Sequence, residues 1–161
     1  MICAMVRRLS LVFGLLIGGM WMGEIILGNL GDTAVLGNYR TFHSQAYRTI
    51  GWCFIGGALA ATALGGFICA YRTGSVENGI SVGIWSGLLS GAIALVTGLV
   101  ITLLFHDALM AAPSTANPAE FARYLYRDAV IAGLNHMWIG ALLGVTLGGV
   151  GAVLGKLIGR Y

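Results

Sequence analysis

"GISVGIWSGLLSG", from Gly79 to Gly91, sets Gly79, Gly83, Gly87 and Gly91 four residues apart within an otherwise apolar run. In water, each interior glycine costs a helix about 0.8–1 kcal/mol against alanine. Between helices in lipid, glycine has the opposite effect. Lipid tails are as apolar as leucine, so burial gives helices no drive to associate, and small residues at i, i+4 let two backbones approach and gain dispersion contacts. The stretch therefore reads as one face of a membrane helix built for close packing. Its spacing does not say whether the partner is a sister helix or a second copy of the chain.

The rest of the chain agrees with a membrane setting. Of its 161 residues, 58% are hydrophobic and 9% charged, and glycine occurs 26 times against two prolines. Soluble domains are roughly 45–50% apolar and about 25% charged. A mean hydropathy of +0.87 leaves too little polar surface to face water all round. Four apolar runs, about 9–30, 50–71, 80–105 and 130–154, are each long enough to cross a ~30 Å hydrocarbon core as a helix. The expected fold is an all-α integral membrane protein, a single four-helix transmembrane domain over 1–161 in a glycine-rich bundle. The basic start "MICAMVRRLS" precedes a long apolar run without a clear A-x-A site, so an uncleaved first span is expected rather than a signal peptide.

Similar glycine rows recur. The fourth run carries Gly140, Gly144, Gly148 and Ala152, with a second row at Gly151, Gly155 and Gly159. The second run has Gly57, Ala61 and Gly65, and the first has Gly14 and Gly18. Two uses are open: closing a monomeric bundle, or assembling a homo-oligomer through outward stripes. "IGGALAATALGG" (Ile55–Gly66) matches "IGALLGVTLGGV" (Ile139–Val150), and "GLLIG" (Gly14–Gly18) matches "GLLSG" (Gly87–Gly91), as two duplicated helical hairpins would. Rotary-ATPase proteolipids share glycine-rich hairpins, but they place an acid in the second helix of a hairpin, and the second and fourth runs here carry none.

Charge sets the expected orientation. With the N-terminus inside, Arg7, Arg8, Arg72, Lys156 and Arg160 face the cytoplasm, against Arg40, Arg48, Arg123 and Arg127 outside. An N-in/C-in protein of a bacterial inner membrane is expected on the positive-inside rule. The second outer segment contains "NPAE" (Asn117–Glu120), with Asn117 as cap and Glu120 at the capping-box position. A short interfacial helix is expected after it, carrying Tyr124, Tyr126 and Arg127 at the membrane surface.

Polar residues inside spans are costly and mark candidate sites. Glu24 is the one acid well inside an apolar run, and "GLNHMWIG" places Asn135 and His136 at a similar depth in the fourth. His106 and Asp107 close the third run on the same side, with His43 in the first outer segment. Glu24 and His136 can approach within the bundle, either as a register-fixing polar pair or as a proton or ion site, with Asn135, His106 and Asp107 as further candidates. The imidazoles with Glu24, Asp107 and Asp128 suit a transition metal in type, but no compact ligand spacing exists, so neither metal nor cofactor is expected. The scattered basic residues exclude a nucleic-acid partner. Without a nucleophile–base arrangement or phosphate loop, an enzyme is not expected. A non-enzymatic accessory or assembly subunit of a larger membrane complex, with the lipid bilayer as surroundings, is the first expectation. The alternative is an oligomeric channel or small transporter using Glu24 and His136.

Overall fold

A computed structural model describes residues 2–111 and 118–159. The described chain is helical: α1 (Ile2–Leu30), α2 (Tyr39–Phe42), α3 (Ser44–Thr73), α4 (Val76–Leu104), α5 (His106–Met110) and α6 (Pro118–Ile158), with one 3-10 turn at Ala34–Leu36. Four of these, α1, α3, α4 and α6, are long and apolar enough to cross a membrane. Their outward faces carry Trp52 at 70% and Trp138 at 73% exposure, together with Leu15, Leu64, Leu103 and Leu142. So much exposed apolar surface suits lipid and not water.

The long helices pack in the cyclic order α1, α4, α6, α3, with α3 also touching α4 across the middle. The turn between α3 and α4 is short because Gly74 takes a left-handed φ of 68° and returns its N–H to the Ala70 carbonyl at 2.8 Å. Ser75 then caps α4, its Oγ accepting the Asn78 N–H at 3.4 Å. We call this the turn end. At the opposite, loop end, the α1–α3 connection folds back on itself. Arg40 pairs with Asp32 at 3.2 Å and lies over the Tyr47 ring at 5.2 Å.

The opening glycines face α6. A Cβ on Gly83 would overlap the Gly144 carbonyl, one on Gly87 the Gly140 carbonyl, one on Gly91 the Met137 backbone, and one on Gly79 the Ala152 side chain. The reverse holds for Gly140 against Gly87 and Gly144 against Gly83, while a Cβ on Gly148 would press on the Gly83 Cα at 3.1 Å. The second row of α6 faces α3, with Gly151 against Ala63, Gly155 against Phe67 and Gly159 against Tyr71. Both rows of α6 are thus spent on contacts inside the chain. Ser86 and Ser90, fully buried beside this seam, donate to the Gly83 and Gly87 carbonyls at 3.0 and 2.9 Å, so their hydroxyls need no partner across it. The α1 glycines work differently. They receive side chains, Gly14 taking Leu89, Gly18 taking Ile93 and Gly23 taking Phe54.

One expectation is corrected. The segment after Pro118 is no separate surface helix: α6 runs unbroken for 41 residues to Ile158, roughly 60 Å at 1.5 Å per residue. Nothing between Pro118 and Gly133 breaks a helix, and Leu125 is held in the apolar cluster of Leu30, Ile101 and Leu109. Tyr126 also stacks on His106, ring centres 6.2 Å apart. The expected cap, Asn117, lies outside the described residues.

Candidate functional site

The row that closes the seam at the turn end continues along α4 as Ala94, Gly98 and Thr102. Here the neighbouring backbone no longer follows it. A Cβ on Gly98 would find only Ala129, at 3.8 Å, and the α4–α6 contact passes to Leu95, which fills the space over Gly133. Small residues on a diverging pair of helices leave space, because no side chain reaches across. The result is a cavity of about 1030 Å³ toward the loop end, walled by α1, α4 and α6 and roofed in part by Asn38 and Phe42.

Glu24 and His136 both line this cavity. Glu24 lies on the α1 face that also carries Trp21 and Gly28, one turn to either side. It is half-buried, and its carboxylate has no hydrogen bond or ion pair among the described residues. His136 is set on α6 between Gly133, which takes Leu95, and Gly140, which takes the α4 backbone. Its Nδ1 lies 2.7 Å from the Ala132 carbonyl. A carbonyl only accepts, so Nδ1 carries the proton and Nε2 keeps a lone pair in the neutral ring. Trp21 meets the imidazole edge-on, ring centres 5.1 Å apart at 74°, which fixes the ring plane at the deep end of the cavity.

Other polar groups join them at the wall: Asn29, Asp32, Asn38, Thr102, Tyr124 and Asp128. Asp32 is held by Arg40, and Asp128 has Arg127 at 3.5 Å. Arg127 also lies over the Tyr124 ring at 4.6 Å. Thr102 keeps its hydroxyl on the Gly98 carbonyl at 2.9 Å. Among the described residues, three carboxylates and no lysine or arginine line the space; with Asp32 and Asp128 paired to arginines just outside it, Glu24 is the carboxylate left to favour a cation. No three His, Cys, Asp or Glu side chains come together as a metal-holding group among the described residues.

The remaining sequence candidates lie elsewhere. Asn135 is exposed on the outward side of α6. His106 and Asp107 begin α5, their Nδ1 and Oδ1 3.4 Å apart, and neither lines the cavity. The sequence did contain a signal for the missed wall. Tyr124, Asp128, Ala132 and His136 stand four residues apart, a row visible only if α6 is read as one helix. Splitting that segment into a surface helix and a span hides it. Comparisons with protein-family models, with curated proteins and with solved structures found no match.

Proposed function

We propose that this chain is a small membrane transport protein that takes a proton or a small monovalent cation into its loop-end cavity, with Glu24 as the anionic site and His136 as its neighbour. The observation that carries this reading is that Glu24 and His136, more than a hundred residues apart, line one cavity that has no lysine or arginine in its wall among the described residues. A half-buried carboxylate without a partner is costly in lipid unless something charged or a proton visits it. A volume near 1030 Å³ lies at the top of the range for small-molecule sites, so a hydrated or alkylated cation fits as well as a bare one.

The shape favours a carrier over an open pore. At the turn end the α4–α6 seam brings backbone against backbone and leaves no lumen there. The space between α1, α3, α4 and α6 beyond Trp21 shrinks to about 10 Å³. Among the described residues the space is wide toward the loop end and narrow toward the turn end, an asymmetry that supports a carrier working by alternating access. Asp32 and Asp128 line the same wall as Glu24 and His136, and Arg48 stands on the other side of Glu24. With the N-in/C-in orientation, the wide end faces outward.

The test is cation-driven proton counterflow in liposomes, with sodium, potassium and methylammonium as probes. Wild type should carry at least one of them, Glu24→Gln should lose at least about tenfold, equivalent to ~1.4 kcal/mol, and His136→Ala should lower the flux. Wild-type flux equal to empty liposomes, or full flux in Glu24→Gln, overturns the proposal. The reading that then stands is a non-enzymatic accessory subunit, identified by what copurifies with it.

A further inference from the structure

Glu24 belongs to two spaces. Besides the main cavity it lines a side pocket of about 160 Å³ between α1 and α3, whose α3 wall is Tyr47, Arg48, Gly51, Trp52 and Ile55. Arg48, Gly51, Trp52 and Ile55 sit at i, i+3, i+4 and i+7, one continuous strip of α3 along the edge of its contact with α1, with Arg48 and Trp52 on the exposed side. Gly51 leaves the middle of that strip bare: a Cβ there would meet nothing within 4 Å. Arg48 makes no ion pair among the described residues, and its Nε holds only the Ser44 carbonyl of its own helix, at 3.4 Å. Two opposite charges without ionic partners therefore share one small pocket.

Helix geometry explains why they stand apart here. Gly23 against Phe54, Met20 against Gly57 and Phe13 against Gly65 fix the antiparallel register of α1 and α3. That register places Arg48 about five residues, or roughly 7.5 Å, nearer the loop end than Glu24. Helical side chains lean toward their own N-termini. Arg48 therefore leans to the loop end and Glu24 to the turn end. A rotamer change that releases Arg48 from Ser44 lays its long side chain down across the bare Gly51, within reach of the Glu24 carboxylate.

We propose that Arg48 is the resident counter-ion of Glu24, closing an ion pair across the side pocket when the cavity holds no cation and releasing it when one arrives. This rests on Glu24 being the cavity's cation site, and it makes Arg48 a positioning residue that tunes affinity without touching the ligand. The two partners of Glu24 exclude each other, because one carboxylate compensates one charge. Cation binding on one side of α1 is thereby coupled to α3 on the other.

Two measurements in nanodiscs test it. The first is binding of radiolabelled methylammonium and sodium. Arg48→Gln should tighten binding by about fivefold or more, the low end of ordinary coupling between sites, Arg48→Lys should restore wild-type affinity, and Glu24→Gln should abolish binding. The second is thermal unfolding without added cation for Arg48→Gln, Glu24→Gln and the double variant. Each single change should lower Tm, and the double should fall by less than the two together. Additive Tm shifts, or Arg48→Gln affinity equal to wild type, overturn the counter-ion role. Binding that persists in Glu24→Gln instead overturns the cation-site reading itself, so the two failures are distinct.

Discussion

The two halves of α4 use the same kind of residue for opposite ends. From Gly79 to Gly91 the small-residue row meets α6 backbone to backbone, so the absence of side chains becomes contact. From Ala94 to Thr102 the row faces a helix that has moved away, and the absence of side chains becomes a cavity. The difference lies in the partner. In the lower half α6 answers with Gly140, Gly144, Gly148 and Ala152; the close approach ends with Gly133 against Leu95, and past it a Cβ on Gly98 would find only Ala129, at 3.8 Å. A glycine stripe alone therefore predicts neither packing nor hollowness; its opposite number decides.

Putting the same methyl into both halves breaks the comparison most directly. At Gly87 a Cβ would overlap the Gly140 carbonyl, which is backbone and cannot turn aside. Gly87→Ala should cost about 3 kcal/mol, the upper end of ordinary overpacking, read as a fall in Tm in detergent or nanodiscs. Gly83→Ala, against the Gly144 carbonyl, should behave alike. An unchanged Tm for both would mean that α4 and α6 are not seamed in this register.

The next effect belongs to the open half and should appear in transport more than in stability. Gly98 lines the cavity, and its nearest neighbour for a Cβ is Ala129 at 3.8 Å. Gly98→Leu places a branched side chain into empty space. Cation flux should fall at least about tenfold, ~1.4 kcal/mol, while stability stays within about 1 kcal/mol of wild type, since a cavity is filled and not overfilled. Unfolding of this variant would show that the upper half is packed as tightly as the lower one.

How much of this was legible in the sequence follows from the range of the forces. The four spans were readable because length and apolar composition decide them locally. The glycine rows were readable too, but not their partners, since one spacing serves a sister helix and a second copy equally. Glu24 and His136 stood out as polar exceptions. Their shared cavity depends on where α4 and α6 diverge, which is past the contact of Leu95 with Gly133, residues more than thirty positions apart in the chain. The surface-helix expectation failed for a related reason. Aromatics and arginines suit a separate short helix or the first turns of a longer one, and the structure has the second, one continuous α6 with Leu125 and Tyr126 in contact with the bundle.

The smallest effects should trace the gradient between seam and open surface along α3. Gly57 meets the flexible end of Met20 at 3.1 Å, whereas a Cβ on its neighbour Gly56 would meet nothing within 4 Å. At Gly57 the methyl gains helix propensity and loses it again in pushing Met20 aside, so Gly57→Ala should leave Tm close to wild type. At Gly56 only the gain remains, about 0.8–1 kcal/mol as measured in water, and Gly56→Ala should raise Tm. The order Gly56, Gly57, Gly87 then runs from stabilising through neutral to strongly destabilising for one and the same methyl group. A loss of stability in Gly56→Ala would mean that this outward face is covered, by a second copy or another protein, and would revive assembly through the one kind of glycine the chain itself leaves unused.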